Sequence, residues 1–346
     1  MIMSNKNLFG LTVDEISKEL SDLKLPNFRA KQIAAWIYQR NVKNFEQMTD
    51  LPKNLRSQLD KIYEIKTVQL VDRWDSSDKL TSKFLLKMND NAAAETVLMR
   101  HDYGNSVCIS TQVGCAMGCR FCASTLNGLE RNLTAAEILS EVLFVNSTLE
   151  GHKIDNIVVM GIGEPLMNYG NLIKFLHMIH ADYTIGLSYR KITVSTCGIV
   201  PNIYKLAEED LPITLSISLH APNNELRSRL MPVNANFKID EVVKAGADYA
   251  DKTGRRVTYE YILISGVNDT TEHANQLSKL LSGQLANVNL IPINPVVERN
   301  FRRPTPERIK NFYDYLNGHG ITATVRKEMG TEVNAACGQL RIRNLR

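Results

Sequence analysis

The sequence lacks the features that direct a chain into or through a membrane. Its first residues, "MIMSNKNLFGLTVDEISKEL", have neither the basic start nor the continuous apolar core of a signal peptide. No later apolar run approaches the roughly 20 residues that a membrane span needs. We therefore expect a cytoplasmic protein with no membrane partner.

A strong excess of charge is also missing, as are internal repeats, low-complexity tracts and long linkers. The net charge is +4 and the isoelectric point is near 8.6, which permits a nucleic-acid partner but hardly argues for one. With 346 residues, of which 44% are hydrophobic and 23% charged, the chain can bury one large core, or one core and a small appendage.

Three consecutive segments differ in their pattern. Segment 1–65 is helical, with Thr12 as a candidate N-cap, and its basic residues indicate either an RNA-binding accessory domain or a solvated face of a small bundle. Segment 66–100 is typical of strands and hairpins that form a connector. In segment 101–346, strand-like runs alternate with helical patterns, which predicts parallel strands in a barrel or an open doubly wound sheet. Functional residues then gather at the carboxyl ends of the strands.

Four of the six cysteines lie in the stretch "VCISTQVGCAMGCRFCAS". In a reducing cytoplasm, clustered cysteines bind metal or do chemistry rather than form structural disulfides. Cys115, Cys119 and Cys122 form C-x3-C-x2-C, which can hold three irons of a [4Fe–4S] cluster and leave the fourth iron open. The alternatives are a zinc site with Cys108 as fourth ligand and inert cysteines. Gly114 is expected to let this loop curl.

The C-x3-C-x2-C motif, with Phe121 before its last cysteine, resembles the signature of radical S-adenosylmethionine (SAM) enzymes. Further segments follow in order: "MGIGEPLMN", "VSTCGIVP", "LSISLHAPN", "LRSRLMPVN", "LISGVNDT" and "EVNAACGQLR". Together they resemble the RlmN/Cfr family of RNA adenine methyltransferases across nearly the whole chain. The resemblance implies an α/β fold: a partial (β/α)6-type radical SAM barrel with a small N-terminal helical domain and a connecting β-hairpin region.

The same resemblance implies a set of SAM contacts near the ends of predicted strands. Gly163 and Glu164 match the segment that binds the amino group of SAM. The other matching positions are Ser195, Ser218, Leu219, His220 and Asn294. Strand ends are where an α/β barrel carries its working residues. Taken singly, such residues are more typical of a strand-end turn or of a core side chain.

Catalytic roles for two further cysteines also come from the resemblance. Cys337 resembles the cysteine that becomes S-methylated, and Cys108 resembles a second catalytic thiol that helps to release the product. Glu95 matches a family proton acceptor, although a single carboxylate on a hairpin normally lies on the surface. Without the resemblance, Cys337 is more typical of a small buried hydrophobe. Cys197 has no assigned role and is treated as structural.

The chemistry that the resemblance implies is a radical methylation, because an adenine ring carbon cannot attack the methyl group of SAM directly. Two SAM molecules are used per turnover. One methylates Cys337, and the other yields a 5′-deoxyadenosyl radical that activates the S-methyl group. A covalent protein–RNA adduct forms and is resolved into a Cys108–Cys337 disulfide and the methylated base. We expect an external one-electron donor such as flavodoxin or ferredoxin, a thiol reductant and a monomer.

The implied substrates are RNA. The C2-methylating RlmN branch acts on an adenine of 23S rRNA and on the adenine beside the anticodon of some tRNAs. Pro165 favours this branch, and the C8-methylating Cfr branch is the alternative. Another radical SAM enzyme, or a non-enzymatic zinc-bearing RNA-binding protein, would not need a Cys108–Cys337 pair. The N-terminal helices and the tail "LRIRNLR" are candidate contacts to the RNA backbone.

Overall fold

The N-terminal segment folds into three helices tied together by a pair of short strands. The computed structural model describes residues 5–26 and 28–341, so most of the candidate RNA-binding tail lies outside the described residues. The helices are α1 (Val13–Glu19), α2 (Phe28–Tyr38) and α3 (Lys53–Ile62), and β1 (Lys6–Asn7) pairs in parallel with β2 (Tyr63–Glu64). Thr12 caps α1 as predicted, in a reciprocal capping box with Glu15.

One mixed sheet of ten strands forms the centre of the molecule. Its strands are β3 (Gln69–Asp75), β4 (Thr81–Lys87), β5 (Ala93–His101), β6 (Gly104–Cys108), β9 (Ile154–Val159), β10 (Ile192–Thr196), β11 (Thr214–Ser218), β12 (Val257–Leu263), β13 (Ala286–Pro292) and β14 (Ala323–Val325). The strand order is β14-β13-β12-β11-β10-β9-β6-β5-β4-β3. Within the described residues, the two edge strands β14 and β3 do not pair with each other, so the sheet is open.

The pairing directions divide this sheet into two parts. Strands β6 and β9 to β14 run parallel, whereas β3 to β6 pair antiparallel. Strand β6 belongs to both parts because it pairs with β5 on one side and with β9 on the other. The predicted α/β class is confirmed, and the hairpins predicted for 66–100 extend the parallel strands at one edge. The division of the chain into three domains stays a prediction.

Helices connect the parallel strands. They are α4 (Ala135–Ser147), α5 (Tyr169–His180), α6 (Val200–Glu208), α7 (Asn224–Leu230), α8 (Ile239–Thr253), α9 (Thr271–Leu281) and α10 (Pro306–Gly318). Helix α4 packs on α5, α6 on α8, and α9 on α10. One large hydrophobic core continues from the N-terminal helices into the sheet, and a smaller cluster that includes Cys108 is separate from it. None of the helices within residues 5–26 and 28–341 is long and apolar enough to cross a membrane.

Helices α6 and α7 were not predicted from the sequence. Helix α6 carries a proline in its first turn and begins shortly after Gly198, a combination that is equally typical of a loop. Helix α7 has only seven residues, which is too short for a clear helical period.

Candidate active site

Two neighbouring cavities have Cys337 in their common wall. The first, of about 880 Å³, is lined by the three motif cysteines and by residues at the ends of β9, β10 and β11. The second, of about 1190 Å³, is lined by Cys108 and by residues along β5 and β6. Met160, Ile291, Arg326 and Cys337 line both cavities.

The cysteine loop is held closed by a small hairpin. Strands β7 (Gln112–Gly114) and β8 (Leu129–Asn132) pair antiparallel at its two ends. Gly114 has a φ of +75°, and a Cβ atom there would lie 2.0 Å from the carbonyl oxygen of Gly128. Only glycine fits this crossing, so the expectation that Gly114 lets the loop curl is confirmed.

The C-terminal segment closes the same loop from the other side. The backbone N–H of Ala123 donates to the carbonyl oxygen of Gly338 at 2.8 Å. The hydroxyl of Ser124 donates to the carbonyl oxygen of Leu340 at 2.7 Å. Because Cys337 directly precedes Gly338, these bonds hold it beside the cavity of the motif cysteines.

The three motif thiols line the first cavity, where Cys115 and Cys119 are buried and Cys122 is partly exposed. Burial raises the pKa of Cys115 to about 12, and it also raises the pKa values of Cys119 and Cys122. Without a metal, these thiols therefore stay protonated at neutral pH. Within the described ranges, no group of three or more His, Cys, Asp or Glu side chains is arranged to hold a single metal ion. A cubane cluster binds each thiolate at a separate iron, so its ligands line a cavity, as these three do.

Arg227 adds a buried positive charge beside these thiols. Its side chain is fully buried, and it donates to Asn234 Oδ1 at 2.9 Å and to the carbonyl oxygens of Cys197 and Phe237 at 2.6 and 3.0 Å. No carboxylate in the described part of the chain pairs with it, and its Nε atom has no hydrogen-bond partner there. A buried cation is unfavourable alone, and the thiols of Cys197 and, more weakly, Cys119 are close enough to interact with its charge. The arrangement fits an anionic, thiolate-bound cluster.

Gly163 and Glu164 form a fixed corner of the first cavity. The Glu164 carboxylate accepts hydrogen bonds from the backbone N–H groups of Leu166 and Cys197, at 3.0 and 2.7 Å. Burial raises the pKa of Glu164. Gly163 has a φ of +114°, and a Cβ atom there would lie 2.7 Å from the Gln112 side chain. Cys197, treated as structural from the sequence, thus contributes its backbone to the position of Glu164.

His220 is a neutral ring in a conformation that non-glycine residues seldom adopt, with a φ of +60°. Its Nδ1 accepts a hydrogen bond from the backbone N–H of Ile262 at 3.0 Å, so the neutral ring carries its proton on Nε2. Burial lowers the pKa of His220 to about 3. Phe121 packs edge-on against this ring, with centroids 4.8 Å apart. The contact joins the cysteine loop to the end of β11.

The remaining predicted SAM contacts fall in different places. Ser195 and Ser218 line the first cavity together with His220. The side chain of Leu219 is fully buried in the hydrophobic core and lines neither cavity. Asn294 lines the second cavity, where its Nδ2 donates to the carbonyl oxygen of Cys337 at 3.1 Å.

Arg326 contacts Cys337 directly and was not singled out from the sequence. Its Nη1 donates to Cys337 Sγ at 2.9 Å, and its Nη2 lies 3.3 Å from Glu260 Oε1. A guanidinium in this position can stabilise negative charge on the sulfur. The sequence did contain one indication of a role for Arg326: it is a charged residue at the end of the last predicted strand, where α/β folds carry functional groups.

Cys108 lies on β6 and lines the second cavity with Cys337. Burial is the main cause that raises the pKa of Cys108 far above that of a free thiol, and the neighbouring Cys337 raises it further. All six cysteines are free. The Cys108–Cys337 disulfide that the resemblance implies is therefore not formed in this structure.

Glu95 is buried, contrary to the surface position that is normal for a single hairpin carboxylate. It lies on β5 and pairs with Lys83 of β4 at 3.1 Å, and both side chains are nearly inaccessible. Its other oxygen accepts a hydrogen bond from the backbone N–H of Arg341 at 2.6 Å. Glu95 lines neither of the two cavities, but it is two residues from Val97, whose cross-strand partner is Cys108.

The open α/β sheet and the cysteine loop at its strand ends define the class of radical SAM proteins. Residues 109–277 match the Radical SAM superfamily, and residues 6–65 match the Ribosomal RNA large subunit methyltransferase N-terminal domain.

Similarity to individual proteins extends over almost the whole chain. It is 50% identical over 343 residues to "Probable dual-specificity RNA methyltransferase RlmN" of Symbiobacterium thermophilum, covering 99% of this chain and 92% of the relative. It is 48% identical to the protein of the same name in Desulforamulus reducens, covering 97% and 96%. The crystal structure of a radical SAM methyltransferase from Sphaerobacter thermophilus gives a TM-score of 0.93 at 43% identity, covering 97% and 99%.

The chain belongs to the RlmN family of radical SAM RNA methyltransferases. The predicted family, the radical SAM fold and the assignment as an RNA methyltransferase enzyme are thereby confirmed. Membership of the radical SAM superfamily implies a [4Fe–4S] cluster and SAM as cofactors.

Proposed function

We propose that this enzyme methylates carbon 2 of an adenine in 23S rRNA and of the adenine beside the anticodon of some tRNAs. One observation carries the proposal: Cys337 borders both cavities, so one thiol faces the motif cysteines on one side and Cys108 on the other. A methyl carrier between a cofactor site and a substrate site needs this position. The relatives' description as dual-specificity RNA methyltransferases supports two kinds of RNA substrate.

Cys115, Cys119 and Cys122 are the proposed ligands of the cluster, and Gly163, Glu164, Ser195, Ser218 and His220 are the proposed SAM contacts of the first cavity. Leu219 and Asn294 are retained on the family resemblance alone. When bound, these groups supply a methyl donor and a radical source, with two SAM molecules used per turnover.

The proposed roles of the protein's own residues follow from their contacts. Cys337 accepts the methyl group on Sγ, and the Arg326 guanidinium stabilises the thiolate that this transfer needs. Cys337 then carries the adenine covalently, and Cys108 attacks the sulfur of Cys337 to release the methylated base. One disulfide is formed in that step. Glu95 is the proposed proton acceptor. This role is supported by its position on β5, two residues from Val97, which pairs with Cys108 on the adjacent strand β6.

The proposed cycle needs two external reductants. A one-electron donor such as flavodoxin or ferredoxin starts the radical chemistry, and a thiol reductant reopens the Cys108–Cys337 disulfide. A reducing cytoplasm provides both. A monomer is the proposed working unit.

The position of the new methyl group is the direct test. We expect purified, reduced enzyme to convert adenosine of 23S rRNA and tRNA transcripts into 2-methyladenosine when SAM and an electron donor are present. Digestion to nucleosides, followed by mass spectrometry against synthetic 2-methyl and 8-methyl standards, measures the product. If the product is 8-methyladenosine, the enzyme has a Cfr-type activity and the proposed C2 methylation is wrong. If the RNA stays unmethylated, both activities are excluded.

The N-terminal helices are the proposed contacts to the RNA backbone. Lys31 on α2 and Lys53 and Lys61 on α3 are exposed, and in the described part of the chain no carboxylate pairs with them. We expect their combined replacement by Gln to weaken RNA binding and to reduce the slope of log K against log salt by about one per lost phosphate contact.

A matched control removes exposed lysines from helices outside the N-terminal segment. Lys244 and Lys310 lie on α8 and α10, and each is paired with an aspartate one turn away. Their replacement by Gln should leave the salt slope unchanged. If both sets of variants gave the same salt slope, the N-terminal lysines would only face solvent and would not contact the RNA.

A further inference from the structure

A stacked pair of aromatic rings lies at the rim of the second cavity. His101 is the last residue of β5, and Tyr103 lies in the two-residue turn between β5 and β6. Their ring centroids are 4.5 Å apart and the rings are nearly parallel, at 9°. Although His101 covers one face of the tyrosine ring, Tyr103 is 72% exposed. Its other face is therefore open to a further planar partner.

The turn that carries Tyr103 is anchored to the neighbouring strand. Gly104 has a φ of +123°, and a Cβ atom there would lie 2.4 Å from Asp155 Oδ2. The same carboxylate oxygen accepts a hydrogen bond from the backbone N–H of Asn105 at 2.8 Å, and Asn105 Nδ2 donates to the carbonyl oxygen of Lys153 at 3.0 Å. A ring on a fixed turn loses little freedom when a partner binds.

The cavity continues from this pair of rings to the two catalytic thiols. Tyr103, Ser106 and Cys108 all line it. Five residues of extended chain separate Tyr103 from Cys108, which corresponds to about 16 Å at roughly 3.3 Å per residue. A planar group stacked on Tyr103 is therefore too far from Cys108 to be the group that reacts.

Positive charge dominates the charged side chains of this cavity. Arg303, Arg326 and Lys327 line it, and the acidic residue among its lining side chains, Glu328, is paired with Arg303. Lys327 is exposed. Such a lining favours a polyanion, and an exposed aromatic face beside it favours an unpaired nucleobase.

We propose that Tyr103, backed by His101, is a stacking platform for an unpaired nucleobase that flanks the target adenine in the RNA. The inference rests on the proposed function, because it takes the second cavity as the entry path of the target strand. Single-stranded bases stack on aromatic side chains irrespective of their identity. The platform would thus hold the strand at the rim while the adenine, further along it, reaches Cys337.

The test compares Tyr103→Ala with Tyr103→Phe, using a stem-loop RNA that carries 2-aminopurine at each loop position beside the target adenine. We expect Tyr103→Ala to weaken binding on the order of tenfold and to lose the quenching of one 2-aminopurine position. Tyr103→Phe keeps the ring and should bind within about twofold of the unmodified enzyme. Tyr204→Ala removes an exposed tyrosine of α6 and should change neither measurement.

The outcomes separate this inference from the function on which it rests. Unchanged affinity and quenching in Tyr103→Ala, in a preparation whose unmodified enzyme methylates RNA, would overturn the platform alone. A loss in Tyr103→Phe as large as that in Tyr103→Ala would also overturn it, because the hydroxyl rather than the stacking face would then be responsible. If the unmodified enzyme forms no S-methylated Cys337 and no methylated RNA, the proposed function itself is wrong.

Discussion

Cys108→Ala enzyme is expected to be isolated with RNA covalently attached, whereas Cys337→Ala enzyme is expected to carry neither RNA nor a methyl group. The reason is the position of the two thiols. Cys337 lines both cavities and can receive a methyl group in one and present it to the other, whereas Cys108 lines only the second. Loss of Cys337 therefore stops the reaction before RNA is touched. Loss of Cys108 stops it after the adduct has formed.

The measurement is a denaturing gel of each variant purified from cells, with and without nuclease. A nuclease-sensitive shift in Cys108→Ala, absent in Cys337→Ala, supports the proposed order, and mass spectrometry of the digested band should place the modified nucleotide on Cys337. RNA methylation should fall below detection in both variants. An adduct on Cys197, or continued methylation in either variant, would contradict the assignment of the two thiols.

The resolving step also depends on burial. The pKa of Cys108 is raised far above that of a free thiol, chiefly because the side chain is buried, so the thiol stays protonated at neutral pH. Its attack on Cys337 sulfur then requires a group that removes the proton. Arg326 can favour the resulting anion, because its positive charge lowers the pKa of Cys108.

The sequence was informative where one short stretch of chain determines the structure. The turn at Gly114 and the cap at Thr12 are both local, and each was predicted correctly. The strand-end positions of Glu164 and His220 follow from the alternation of strands and helices, and both line the first cavity.

Contacts between distant segments could not be predicted in this way. The burial of Glu95 depends on the register of β4 against β5, which brings Lys83 within 3.1 Å, and a hairpin pattern alone does not fix that register. Arg227 lies within a family motif, but only the packing of α7 against the loop after β10 brings it to the carbonyl oxygen of Cys197. The contact between Arg326 and Cys337 likewise requires the C-terminal segment to turn back over the cysteine loop.

Replacing any one of Cys115, Cys119 and Cys122 by Ala is expected to remove the iron–sulfur cluster and with it all cleavage of SAM. Each thiolate holds a separate iron, and the three side chains line the first cavity together. Cys197→Ala is the matched control: Cys197 lines the same cavity, and although its thiol also hydrogen-bonds Glu164, the backbone hydrogen bonds of Cys197 to Glu164 and Arg227 remain in this variant. This variant should keep its iron.

Iron content and the visible absorption of anaerobically reconstituted protein measure the cluster, and 5′-deoxyadenosine formed after reduction measures SAM cleavage. We expect about four irons per chain in the unmodified enzyme and in Cys197→Ala, and 5′-deoxyadenosine below detection in the three motif variants. RNA binding should persist in all of them, because the second cavity contains none of the three motif cysteines. A motif variant with full iron and full cleavage would show that its thiol is not a ligand. If Cys197→Ala also lost its iron, the set of thiols that holds the cluster would differ from Cys115, Cys119 and Cys122.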